Sequence, residues 1–345
     1  MIRIQNIYYM LAYAYQVLRE DGYQQIAQET FEHACDLFAE ILSRGMANQV
    51  RRGLVHDYRP ARDNLSALRG KIELTANMRQ LQNRGQKLEC VFDEYSEDTE
   101  VNRILKSTAL KMIRANEVRR ESKQAIKRIL LFFSNVQEID LHFVRWGSLQ
   151  YNRSNQTYRM LMEICYMIEN GLLMKEQGSG IRLRKFLDDQ RMSALYERFL
   201  RAYLHEKYPQ YRVAASTVDW ALDESEFLER LPVMRTDVTL RAPNKTLIID
   251  AKYYDHTMQT NSLYDKKTIH SGNLYQIMTY VENEHLNTGL PVSGMLLYAK
   301  TDESLVPDQT FSIHGKRFWV KTLDLDCDFQ NIEGQLKILI DNWSE

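Results

Sequence analysis

Cysteine is scarce in this 345-residue chain: Cys35, Cys90, Cys165 and Cys327 are scattered with no CxxC pairing. Neither a zinc site nor a disulfide framework is suggested, and a reducing compartment is the simplest setting. Glycine (14) and proline (6) are few, and no repeat is visible, which argues against low-complexity tails and repeat arrays. No sign of charge dominates, with 45 Lys and Arg against 46 Asp and Glu. Bulk electrostatics therefore carry no nucleic-acid signal, and any such contact has to rest on local patches. No apolar run reaches membrane-spanning length. The opening MIRIQNIYYMLAYAYQVLRED is apolar, yet Gln5, Asn6 and Gln16 interrupt it and no small-residue cleavage site follows, so a cytoplasmic protein is expected. There is no G-x-x-x-x-G-K-[ST] and no other phosphate-cradling glycine loop. The chain is not expected to hydrolyse nucleotide itself.

What is present suits a folded protein of two domains: 44% hydrophobic and 26% charged residues. Apolar spacing predicts helices over 6–19 and 30–50, then strands and turns over 54–95 broken at Gly53, Gly70 and Gly85. A long helix is expected from about Thr99 to Phe133. Over 100–128 it carries Arg103, Lys106, Lys111, Arg114, Arg119, Arg120, Lys123, Lys127 and Arg128. That cluster reads either as a solvated helix face or as a surface for phosphate or a partner. Another helix (156–170) and the loop MKEQGSGIRLR lead to a domain boundary expected near 150–185.

The last half alternates differently. A helix is expected from Ser193 to Tyr208, then strands at 211–220, 233–241 and 246–253. A helix near 273–284, the strand VSGMLLYAK, a strand near 317–323 and a closing helix near 331–343 follow. The informative segment is MRTDVTLRAPNKTLIIDAKYY (234–254), where Ala242-Pro243-Asn244-Lys245 is a turn signal between two β-rich runs. A turn symmetric about Pro243-Asn244 sets Asp237 opposite Asp250, with Cβ atoms about 5 Å apart. Lys252, two residues on, shares that face, which is expected to be solvent-facing, while Val238, Leu240, Leu247, Ile249 and Ala251 form the buried one. Opposed like charges destabilise a hairpin unless a cation offsets them, and hard oxygen ligands suit Mg²⁺. A metal that polarises a phosphate, beside a lysine that stabilises the transition-state charge, is the equipment of phosphodiester hydrolysis. Spacing alone equally allows a surface hairpin with a weak Asp–Lys ion pair.

Taken together, Ser193–Lys207, Asp237, Asp250-Ala251-Lys252 and Gln276-x-x-x-Tyr280 resemble a PD-(D/E)xK nuclease of the RecB-like branch. More narrowly, the chain resembles the McrC family, the nuclease subunits of McrBC restriction systems specific for 5-methylcytosine. The matching stretches run in order from residue 6 to residue 280: NIYYMLAYAY, RRGLVHDY, RGKIEL, DEYSEDTEVNRILKST, LPVMRTDVTL, IIDAKYY and NLYQIMTY. The resemblance implies an α+β N-terminal domain (1–150) docking on an AAA+ GTPase partner, followed by an α/β PD-(D/E)xK endonuclease domain (151–345). It implies that Asp237 and Asp250 bind Mg²⁺ with the Ala251 carbonyl as a further ligand, and that Lys252 is the catalytic lysine. Gln276 and Tyr280 would support the site, and Glu197 on the preceding helix is a weaker supporting candidate. Thr236 stands where the superfamily has Pro. His205, His256 and His270 are left out, since a lone histidine is more often structural or exposed.

The family's partner is an McrB-like AAA+ GTPase hexamer that reads methylcytosine in double-stranded DNA, and the N-terminal half would stimulate its hydrolysis. Two rival readings are a stand-alone RecB-like repair nuclease and a non-catalytic adaptor that only activates an AAA+ motor.

Overall fold

The computed structural model describes residues 2–16, 26, 29, 31, 33–74, 77–78, 87–151, 155–176, 189–223, 230–253, 258–261, 266–300 and 306–345. Two compact units emerge. One joins Met1–Phe31 to Gln177–Glu345, and the other is Glu32–Glu176. This grouping differs from the expected division into 1–150 and 151–345. The helix α1 (Ile4–Ala14) belongs with the C-terminal half. Its aromatic residues explain why: Tyr9 stacks on Phe329 with centroids 4.1 Å apart, and Tyr13 meets Phe199 and Tyr203 edge-on. Asn6 adds a polar tie, its amide donating to the carbonyls of Leu325 and Cys327 at 2.8 Å.

The middle unit opens with α2 (Ala34–Arg52), which stops where Gly53 takes a positive φ of 87°. A three-stranded antiparallel sheet follows: β1 (Asp57–Leu65), β2 (Lys71–Ile72) and β3 (Leu88–Ser96), with β3 in the centre. Gly70 sits at φ 68°, and a Cβ there would lie 2.3 Å from the Val91 carbonyl oxygen, so only glycine fits this close approach. Gly85 lies outside the described residues.

The single long helix expected from Thr99 to Phe133 is two helices. Thr99 caps α3 (Glu100–Arg114), accepting from the Asn102 amide. The backbone turns extended at Ala115, and α4 (Arg120–Leu130) starts afresh. Much of the basic cluster is bound within the unit. Arg103 pairs with Asp98, Lys106 donates to the carbonyls of Phe133 and Val136, Lys111 pairs with Glu169 at 2.9 Å, and Arg119 pairs with buried Asp36. Short 3₁₀ turns lead to α5 (Arg159–Glu176), which closes the unit.

The C-terminal segment starts with α6 (Asp189–Lys207). Strands β4 (Arg212–Ala214), β5 (Thr217–Val218), β6 (Met234–Arg235), β7 (Val238–Arg241) and β8 (Thr246–Lys252) follow. Next come β9 (Met258–Asn261), β10 (Lys266–Ile269), α7 (Ser271–Thr288), β11 (Val292–Ala299), β12 (Gln309–Ile313), β13 (Lys316–Leu323) and α8 (Phe329–Ser344). A six-stranded mixed sheet runs in the order β12-β13-β11-β8-β7-β4. Its three central strands, β13, β11 and β8, are parallel; β12 and β7 flank them antiparallel, and the edge strand β4 pairs antiparallel with β7.

Here the expectation of a solvent-facing hairpin is overturned. Strand β8 is buried from Thr246 to Ala251 on both faces, because it pairs with β11 as well as β7 and α7 covers the side bearing Ile248. There Ile248 packs with Ile277, Tyr280, Val281, Leu296 and Tyr298. Parallel strands covered on both faces read as near-continuous apolar runs, which Leu247–Ile249 and Met295–Leu297 are.

Candidate active site

The β7–β8 hairpin has the register expected from its turn: Val238 opposes Ile249, Thr239 opposes Ile248, and Arg241 opposes Thr246. Carried one residue further, it sets Asp237 opposite Asp250. At Asp237 the ladder has ended and the backbone bends, so the Ala251 amide takes the Asp237 carboxylate as its acceptor (Oδ2, 2.8 Å). Just upstream, buried Thr236 pins the bend. Its Oγ1 donates to the Ser216 carbonyl at 3.1 Å, accepts from the Ser216 amide at 3.0 Å, and lies 2.7 Å from Thr239 Oγ1. Thr236 thus braces the strand that delivers Asp237.

Asp250 is 2% exposed. Lys252 Nζ lies 2.7 Å from its Oδ2, close enough for an ion pair but not aligned as a hydrogen bond, which leaves Oδ2 buried without a hydrogen-bond donor. Lys252 in turn donates to Gln276 Oε1 at 3.2 Å, and Gln276 Nε2 donates to the Tyr280 hydroxyl at 3.1 Å. The i, i+4 spacing of Gln276 and Tyr280 on α7 puts them on one helix face. Both therefore reach the end of β8.

Burial governs the electrostatics. It pushes the Asp250 carboxyl up to about 7; Lys252 opposes the rise and neighbouring Asp237 adds to it. Asp237 is also raised by burial, against the pull of the Ala251 amide and the Lys252 charge. A buried carboxyl beside a half-buried one ionises at a higher cost than either would alone, so both are raised. Glu197 on α6 belongs to the same neighbourhood: burial raises it first, then the Asp237 charge, while Ser193 Oγ donates to its Oε1 at 3.3 Å.

All seven predicted positions thus converge at one end of β8. Sequence reasoning missed Arg201, one turn after Glu197, whose guanidinium Nη1 donates to the Asp237 carbonyl at 3.0 Å. A clue was its place on the Glu197 side of the helix. His205 is exposed, His270 precedes α7 away from this chain of contacts, and His256 lies outside the described residues.

Among the described residues no group of three or more His, Cys, Asp or Glu side chains is disposed to hold a metal ion. A hard cation that keeps several waters needs only one or two carboxylates. An orphaned buried carboxylate oxygen beside a second carboxylate fits such an ion, with the Ala251 carbonyl as a neutral donor. The arrangement can hold a hard divalent cation beside a lysine ammonium.

Residues 3–299 match the family described as McrBC 5-methylcytosine restriction system component. The chain belongs to that McrBC family. It is 28% identical, over 348 aligned residues covering 99% of this chain and 98% of the relative, to the type IV methyl-directed restriction enzyme EcoKMcrBC of Escherichia coli (strain K12). Among solved structures, this McrBC-family chain is similar to one in a half-complex of Thermococcus gammatolerans McrB AAA+ hexamers with bound McrC. That match has a TM-score of 0.51 at 18% identity and covers 97% of this chain and 76% of the other. A second, the cryo-EM structure of the Thermococcus gammatolerans McrBC complex, matches at a TM-score of 0.42 and 20% identity, covering 61% and 60%. Among the described residues no helix is long and apolar enough to cross a membrane.

Proposed function

We propose that this chain is the nuclease subunit of a modification-dependent restriction complex, a Mg²⁺-dependent DNA endonuclease with a PD-(D/E)xK core. The observation that carries the reading is the junction of two carboxyls, buried Asp250 and half-buried Asp237, with the Lys252 ammonium 2.7 Å from Asp250, inside a chain of the McrBC family. The relative from Escherichia coli is named a methyl-directed restriction enzyme, which supports methylated DNA as the substrate.

Asp237, Asp250 and the Ala251 carbonyl would hold the metal. When bound, Mg²⁺ polarises the phosphate and lowers the pKa of a coordinated water. The chain's own groups do the rest. Asp250 would serve as a ligand in its carboxylate form. Lys252, aimed by Gln276, would place positive charge where the phosphoryl oxygens develop negative charge. Tyr280 fixes the Gln276 amide, and Glu197 provides a further acidic group beside the metal ligands.

Without a phosphate-cradling glycine loop, nucleotide hydrolysis falls to a partner. The McrB AAA+ hexamers of the similar complex support an AAA+ ring as that partner; on this reading the ring hydrolyses GTP, recognises the modified base and is stimulated by this subunit. The test is reconstitution with an McrB-like AAA+ GTPase from the same organism. Cleavage of methylated plasmid should require both proteins, GTP and Mg²⁺, and unmethylated plasmid should survive. Cleavage by this chain alone would favour a stand-alone nuclease.

A further inference from the structure

Arg201 stands out because its environment uses so little of it. The side chain is half-buried on α6, where a cation loses hydration and ordinarily recovers it through hydrogen bonds. A guanidinium carries five N–H donors. One of them, on Nη1, reaches the Asp237 carbonyl at 3.0 Å. Among the described residues no other acceptor lies within hydrogen-bonding distance, and no carboxylate is close enough for an ion pair. Glu197, one turn earlier, is held by Ser193 instead, and the Asp237 carboxylate is turned to the Ala251 amide. A charged fork is thus braced against the backbone of a proposed metal ligand, with four of its five donors left without an acceptor among the described residues.

We propose that Arg201 anchors a non-bridging oxygen of the DNA backbone phosphate at this site, its fork set in place by the Asp237 carbonyl. The inference rests on the nuclease reading and adds a residue to it. A planar fork matches a phosphate's paired oxygens, which a lysine's point charge does not. The bond to Asp237 fixes the fork beside the carboxylates, so metal and guanidinium address the same phosphodiester. A nucleotide phosphate is the poorer occupant, since those are cradled by glycine-loop amides that the chain lacks.

The test uses the full-length chain without metal and a fluorescein-labelled 20-base-pair duplex, with binding followed by anisotropy across a KCl series. Arg201→Ala should weaken binding several-fold and reduce the log–log salt slope by about one, as loss of one phosphate contact does. Arg201→Lys keeps the charge and should keep the slope, yet slow single-turnover cleavage in the assembled complex at least tenfold. Should Arg201→Ala fail to fold, the lysine variant decides alone. Wild-type cleavage by it means that Arg201 only braces the carbonyl. Unchanged slopes in the alanine variant, or no salt-dependent binding by the wild-type chain, also overturn the proposal. The anisotropy arm needs no cleavage, so it fails or succeeds separately from the nuclease reading, which Asp250→Asn addresses.

Discussion

The Ala251 amide donates to the Asp237 carboxylate at 2.8 Å, so the first acidic residue of the site closes a β-ladder that its own backbone has left. This bond makes Asp237 structural and chemical at once, and two substitutions separate the roles. Asp237→Asn keeps an oxygen acceptor for the amide, so unfolding in urea should stay within about 1 kcal/mol of wild type. Asp237→Ala strands the buried amide and should cost about 1–3 kcal/mol. Both should abolish cleavage. Equal stability of the two variants would mean that the bond is not formed in solution.

Asp250 gives the stability of the metal-free chain a definite pH dependence. Its carboxyl is raised to about 7 from an ordinary 3.8 by burial. Between those values the folded chain holds a proton that the unfolded chain has released. Stability therefore falls as pH rises through about 4 to 7 and is flat above. Asp250→Asn removes the effect and should stabilise the chain at pH 8 by on the order of 3 kcal/mol. Mg²⁺ should raise the wild-type melting temperature at pH 8 and leave the Asn variant unmoved. A variant less stable than wild type at pH 8 contradicts the burial argument.

The chain of Tyr280, Gln276 and Lys252 predicts graded losses. Gln276→Ala removes one restraint on the Lys252 ammonium and should slow single-turnover cleavage by about 10–100-fold, the usual cost of losing a group that orients an active-site residue. Tyr280→Phe removes only the hydroxyl that steadies Gln276 and should cost less. Fluorescence-detected cleavage under saturating partner reads both. A larger loss for Tyr280→Phe would break the proposed order.

What was legible in the sequence was local. Ala242-Pro243-Asn244-Lys245 set the hairpin register, and with it the placing of Asp237 beside Asp250 at the end of the ladder. The helices and the core strands after Ser193 were visible in their periodicity, whereas β9, β10 and β12 were not expected. Three further features were hidden. The parallel pairing of β8 with β11 joins residues 46 positions apart, and periodicity within a strand does not reveal its neighbours. The break at Ala115 falls in a stretch with no proline or glycine. Arg201 looked like any charged helix residue, because its role depends on a carbonyl 36 residues away.

The attachment of α1 is another long-range fact, and it changes which fragments should fold. Ile7, Tyr8, Met10 and Leu11 are each 1% exposed, and α1 lies in the unit that resumes at Gln177. A fragment of residues 32–176 should give a dispersed NMR spectrum and cooperative unfolding. A fragment of 151–345, lacking that apolar helix, should be poorly soluble or molten, and adding a peptide of residues 1–31 should restore it. Cooperative folding of 151–345 alone would show that α1 is dispensable.

The central claim is that Asp250 and Lys252 carry out phosphodiester cleavage while another protein turns over nucleotide. The direct measurement is cleavage of methylated plasmid by complexes reconstituted with Asp250→Asn or Lys252→Ala, with GTP turnover recorded in the same tubes. The account predicts loss of cleavage by at least a hundredfold, since a metal ligand or the transition-state cation is gone, with stimulated GTP hydrolysis unchanged. Cleavage near the wild-type rate by either variant, with GTP hydrolysis intact, would place the chemistry elsewhere.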